Sequence, residues 1–135
     1  MRALVLPVNA GFYAVPMDSV HQVLHRPNVT AVPLSPEGLL GVINVRGEIV
    51  PFYDTGVLTG SGVLASPPFA VLVSGEKELI ALAAEELPTA ADFDDPVARS
   101  TRRGELGVYS SGGRLVVLLA VEELVSSQLD VPRAS

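Results

Sequence analysis

Few residues of this 135-residue chain carry reactive chemistry, and their spacing decides what each can do. His21 and His25 stand four apart with Asp18 three before His21, so a helix there would bring all three toward one face. A metal centre needs three or four convergent ligands with supported geometry, and no fourth ligand is evident, so an exposed helix edge is the plainer reading. No cysteine is present, which removes disulfides, zinc ribbons, iron–sulfur clusters and thiol catalysis together. Gly60-Ser61-Gly62-Val63-Leu64-Ala65 imitates a dinucleotide-binding turn, but that motif works by aiming the amides of a starting helix at a pyrophosphate. Pro67-Pro68 follow immediately and would break such a helix. Asp92, Asp94 and Asp95 fail as a calcium loop: counted from Asp92, the glycine position holds Val97 and the closing glutamate position holds Arg103. With Glu85 and Glu86 these carboxylates read as a solvated acidic face. No G-x-S-x-G elbow exists, and the scattered carboxylates form no separable acid/base pair. What remains is Arg46, in Asn44-Val45-Arg46-Gly47 at the tip of an expected hairpin, which is either a binding residue on a rigid scaffold or a solvated surface charge.

The composition agrees with recognition rather than catalysis. Apolar residues are 48% and charged residues 18%, so a folded core is expected. Nine Lys plus Arg against fifteen Asp plus Glu leave a net charge of −6, which repels phosphate backbones and argues against nucleic acid. Apolar runs stop well short of the ~18–20 residues of a membrane span. Met1 to Leu6 ends at Pro7 without the apolar stretch of a signal peptide. A cytoplasmic protein is the expectation.

The elements that must position Arg46 read as β-structure. Ala3 to Val8 and Phe12 to Val15 form one expected hairpin, with Pro7 on a free edge. Asp18 or Ser19 can cap a helix carrying Val20 and Leu24, ended by Pro27. Leu39 to Val45 and Glu48 to Tyr53 form a second hairpin across Arg46-Gly47. Thr55 to Pro68 is Gly/Ser/Pro-rich and reads as a flexible connector. The pattern then repeats: Phe69 to Val73 with Leu79 to Ala83, and Leu106 to Ser110 with Leu115 to Ala120, closed by a helix over Val121 to Leu129.

This repetition is quantitative. Residues 3–20 and 70–87 are apolar together at 10 of 18 positions, and 41–58 and 107–124 at 7 of 18, where composition alone gives roughly 8 in both windows together. The separately found offsets, 67 and 66, nearly agree. The expected fold is therefore mainly β: one domain over 1–135 made of two pseudo-duplicated, five-stranded, barrel-like (SH3-like) lobes with one or two short helices. The lobes would cover about 1–66 and 67–135, with strand exchange between them possible. Neither would hold much core alone, so their interface should be apolar. At the turn matching Arg46-Gly47 the second copy has Gly112-Gly113, so the fold needs a tight glycine turn there but not an arginine.

The segment GVINVRGEIVPFYD, Gly41 to Asp54, resembles the signature hairpin of the chemotaxis coupling protein family, CheW-like domains, of form G-V-x-N-L-R-G-x-I-x-P-x-x-D. FYAVPMDSVHQVL is similar to the family's Y-A-I-P-x-x-x-V-x-E-I, AVPLSPEGLLGV to its R-I-P-x-x-P-x-F-I-x-G-V, and GRLVVLLAVEELV to its G-R-L-V-L-L-L-D-x-x-x-L. The resemblance implies a two-lobed, non-enzymatic adaptor with no cofactor. Such an adaptor joins the cytoplasmic tip of a chemoreceptor to the regulatory domain of the histidine kinase CheA. It implies a receptor-facing surface of Val20 and Gln22 on the first helix, with Gly41, Asn44, Arg46 and Gly47 on the hairpin. Arg46 would be the polar anchor, its planar fork holding a carboxylate or backbone carbonyls, and Gly41 would admit a partner backbone. The chain departs from the family pattern at Gln22, Ala31 and Ala120, the first and last of which replace acidic residues and the second a basic one. Two other readings stay open: a small-ligand-binding β-barrel protein using the cleft between lobes, and a decoy module that competes with the true coupling protein.

Overall fold

The computed structural model describes residues 1–129. The chain runs through β1 (Arg2–Val8), β2 (Gly11–Pro16), a 3-10 turn over Met17–Ser19, β3 (Val20–His25) and β4 (Val29–Thr30). It continues through β5 (Leu39–Val45), β6 (Glu48–Tyr53), α1 (Thr55–Thr59), β7 (Phe69–Ser74) and β8 (Leu79–Ala84). The last elements are β9 (Thr89–Asp92), β10 (Glu105–Ser111), β11 (Arg114–Leu119) and α2 (Val121–Leu129). The four hairpin strand pairs lie where the alternation of apolar residues places them.

The strands form two mixed sheets, one of five strands in the order β10-β11-β2-β1-β9 and one of six in the order β3-β7-β8-β6-β5-β4. Each sheet draws on both halves of the sequence. The hairpin β1–β2 sits in the sheet otherwise built from the second half, and β7–β8 in the sheet otherwise built from the first. The repeat is therefore exact in register although its sheets are interleaved. Phe52 pairs Ala81 in parallel, and Leu118 pairs Ala14 in parallel, the same contact displaced by 66 and 67 residues. Gln22 faces Leu72 as Thr89 faces Val5. The bulge between Leu39 and Gly41 recurs between Glu105 and Gly107. The Asp54 amide donates to the Gly38 carbonyl, as the Ala120 amide donates to that of Gly104, both at 2.8 Å.

Three expectations are corrected. Residues 17–25 are not a helix: after the 3-10 turn, which the Ser19 hydroxyl closes by donating to the Pro16 carbonyl at 2.7 Å, the chain becomes β3. The reason is non-local. β3 pairs along its length with β7, some 50 residues on, and that ladder outweighs a helical spacing of only two or three apolar residues. Nor is Thr55 to Pro68 all flexible connector. Asp54 caps α1, its Oδ1 accepting from the Gly56 and Val57 amides and its Oδ2 from the Leu64 amide at 3.0 Å. Thr55 donates to the Ala83 carbonyl and Thr59 to that of Thr55. Hydroxyls satisfied in this way can be buried, so Thr55, Thr59 and Leu64 join the interior. One lobe also has six strands rather than five, because the two-residue β4 joins β5. Its counterpart in the other lobe is the isolated bridge from Ala98 to Val108.

Alternation along β1 shows how the lobes join. Ala3 and Val5 point into a cluster with Ala14, Phe93, Val116 and Leu118, the interior of the five-stranded lobe. Leu4, Leu6 and Val8, on the opposite face, belong to the larger cluster with β6, β7 and β8. Each such side chain contributes roughly 1.5–3 kcal/mol on burial, so the larger cluster fuses the lobes while the smaller one fills the five-stranded lobe alone. Tyr53 lies in it, and burial, with Glu78 adding a smaller effect, pushes its phenol above the ordinary 10.0.

Candidate docking surface

The hairpin β5–β6 pairs Val45 with Glu48 and Asn44 with Ile49, which leaves Arg46 and Gly47 as the two turn residues. Both have positive φ, +52° and +87°, the geometry of a type I′ turn that matches strand twist. The Asn44 Oδ1 accepts from the Gly47 amide at 2.9 Å and braces the turn. At the matching turn Gly112 and Gly113 have φ of +57° and +78°. The two turns thus share one conformation, which glycine adopts freely and an arginine adopts at a cost of about 1 kcal/mol. Arg46 bears that strain with its side chain exposed, and among the described residues no carboxylate or carbonyl holds its guanidinium. The fully glycine version in the other lobe shows that strain is not needed to make the turn.

Arg46 opens onto a surface groove of about 390 Å³. Gln22 from β3 and Glu48 from β6 line it beside Arg46, and Leu79 supplies apolar lining. His21 stands at the same groove with its Nε2 2.6 Å from the Ser74 hydroxyl. The pseudo-symmetric place in the five-stranded lobe is filled differently. There Phe12 stands for Leu79 and Arg114 for Glu48, and the Arg114 guanidinium lies over the Phe12 ring at 4.3 Å from its centre. A cation thus stacks on an aromatic face there, a contact that Glu48 and Leu79 do not make.

The structure brings Gln22 and Arg46 together and separates the other expected residues. Val20 is half-buried and packs against the core, on a strand rather than a helix. Gly41 is buried at φ +152°, and a Cβ there would stand 2.4 Å from the Thr30 carbonyl oxygen, so the backbone it admits is the chain's own β4. Asn44 braces the turn and also borders a second groove of about 340 Å³ with Leu24, Pro27 and Thr30. Gly47 would meet nothing with an added Cβ, so only its φ requires glycine. The histidines do not converge: His25 stacks on Phe69 at 4.8 Å while His21 bonds Ser74. Among the described residues no three His, Asp or Glu side chains are grouped to hold a metal. The glycines of the dinucleotide look-alike end α1 instead, with Gly60 at φ +75° donating to the carbonyls of Gly56 and Val57. In the acidic group, Asp92 pairs with Arg2 at 3.5 Å and Glu85 accepts from the Asn9 amide.

Sequence reasoning missed Glu48 and the exposed apolar Ile49, 58% accessible beside Asn44. The signal for Ile49 was available. Val50 and Phe52 face inward, so period-two alternation turns Ile49 outward, and its counterpart Leu115 is likewise 64% accessible.

A family model described as "CheW-like domain" matches residues 2–129. A curated relative, the chemotaxis protein CheW of Klebsiella aerogenes, is 27% identical over 86% of this chain and 76% of its own. Among solved structures, the scaffolding protein TtCheW from Thermoanaerobacter tengcongensis superposes with a TM-score of 0.77. That match is at 20% identity and covers 91% of this chain and 90% of the other.

Proposed function

The chain belongs to the CheW-like domain family of non-enzymatic chemotaxis scaffolds, and on that premise we propose that it couples a chemoreceptor to a histidine kinase. The receptor's cytoplasmic tip docks on the groove at Arg46 in the six-stranded lobe, and the regulatory domain of CheA docks on other exposed surface. The carrying observation is the groove beside a strained, exposed Arg46, set against its counterpart, where glycine replaces the arginine and Arg114 stacks on Phe12. Val97, Leu106 and Leu115, each more than half accessible, offer apolar surface in the second half for the kinase. Among the described residues no helix is long and apolar enough to cross a membrane. The protein would work at the cytoplasmic face, where receptor tip and kinase meet. The apolar packing between the lobes supports an adaptor of fixed geometry over a protein with a polar ligand cleft.

The test is Arg46→Glu in a pull-down with receptor tip and kinase regulatory domain, followed by kinase activity in a reconstituted array. We expect receptor affinity to fall by about tenfold or more, since a reversed charge repels what the anchor held, while kinase-domain binding and the circular dichroism spectrum stay unchanged. Unaltered receptor binding would overturn the assignment. Receptor binding by the unmodified protein with kinase activity suppressed rather than supported would mark a decoy instead of a coupler.

A further inference from the structure

We propose that Glu48 is a specificity-determining residue of the docking groove. It pairs with a cationic side chain of the docked segment while Arg46 takes a carboxylate, so the preferred partner is a helix presenting opposite charges beside an apolar residue. The inference rests on the groove being the receptor's docking site. Glu48 is exposed, and among the described residues it forms no ion pair, with Arg46 or any other cation. It is the first residue of β6, held opposite Val45 by the ladder, so its position relative to Arg46 is set by the turn and not by a flexible loop.

The pseudo-symmetry shows that this carboxylate is not there for the fold. The same position in the other lobe is Arg114, which serves to cover Phe12. An identical hairpin thus accepts either sign of charge. Arg46 and Glu48 carry opposite formal charges that cancel in the groove. A purely acidic partner gains at Arg46 what it loses at Glu48, so net attraction cannot select it, whereas a partner with both signs in the matching order gains at both. Side chains three or four positions apart on a helix stand ~5–6 Å apart at Cβ, close enough to address two residues on one hairpin tip. Leu79 provides apolar lining for the side chain between them.

A soluble helical fragment of a chemoreceptor tip is titrated calorimetrically with the full chain and its Glu48→Gln, Glu48→Arg and Arg46→Ala variants. Glu48→Gln should weaken binding about five- to tenfold and Glu48→Arg more. One Lys or Arg to Glu exchange in the receptor fragment should restore Glu48→Arg to within about threefold of the original pair, while impairing the unmodified protein. Melting temperatures check that each variant folds. If Arg46→Ala loses binding but both Glu48 variants bind normally, the specificity role is overturned and the docking site stands. If Arg46→Ala also binds normally, the docking site itself is wrong and the inference fails with it.

Discussion

At Arg46, side-chain chemistry and backbone strain act on the same residue. Its φ of +52° is one that glycine adopts without penalty, as Gly112 does at the matching turn. Replacing Arg46 with glycine removes a left-handed strain of about 1–2 kcal/mol and adds back part of that as unfolded-state entropy. The expected outcome of Arg46→Gly is a gain of about 0.5 kcal/mol, or roughly 2 °C in Tm by thermal denaturation, together with loss of receptor affinity. A loss of stability greater than about 1 kcal/mol would mean that the guanidinium has a structural partner after all. Opposite movements of stability and binding are what a residue kept for recognition produces, because the fold alone would have settled on glycine.

Among the elements, the bulged strand openings give an internally controlled comparison. Gly41 and Gly107 occupy the same place in β5 and β10, just after equivalent bulges. A methyl at Gly41 would meet the Thr30 carbonyl oxygen at 2.4 Å and Val29 Cγ1 at 2.8 Å, whereas at Gly107 the nearest atom is 3.6 Å away. Gly41→Ala should therefore cost about 2–4 kcal/mol in urea denaturation and displace β4, while Gly107→Ala stays within about 1 kcal/mol. Equal effects would show that β4 is not seated on Gly41 as described. The contrast also shows how far the elements were legible in sequence. Hairpins joined by short turns announce themselves through local alternation and glycine, so β1–β2, β5–β6, β7–β8 and β10–β11 could all be placed. β3 could not, because its partner β7 is distant in sequence and Val20, Leu24 and Pro27 suit a capped helix equally well. The burial of Thr55 and Thr59 was hidden for another reason: the Thr59 hydroxyl finds its acceptor only once α1 has formed, and that of Thr55 only once α1 is folded against β8. Of the candidate surface, Arg46 and Asn44 could be read from the turn, but the role of Gly41 could not. Glycine after a bulge looks the same whether its own chain or a partner fills the space.

For the whole molecule, the exchange of hairpins between lobes decides how it can unfold and what it can transmit. The two halves of the sequence share pairings within each lobe: β3 with β7, β6 with β8, β11 with β2 and β9 with β1. Cutting the chain after residue 66 would leave β1–β2 without β9 and β11, and β7–β8 without β3 and β6. A hairpin alone is marginal in water, and ~65 residues bury too little surface to compensate. Fragments 1–66 and 67–135 should each give the circular dichroism and narrow amide dispersion of an unfolded chain. Mixed, they should recover the native spectrum with a concentration-dependent midpoint, and the intact chain should melt in one transition. A fragment that melts cooperatively by itself would show that half of the sequence folds without the pairings the other half supplies. The same exchange bears on the proposed coupling. With Leu4, Leu6 and Val8 packed among β6, β7 and β8, relative rotation of the lobes requires breaking the apolar core between them. Surfaces on the two lobes are thereby held in one geometry, so a displacement imposed at the Arg46 groove reaches a partner on the other lobe as a movement of the whole body instead of being absorbed at a joint.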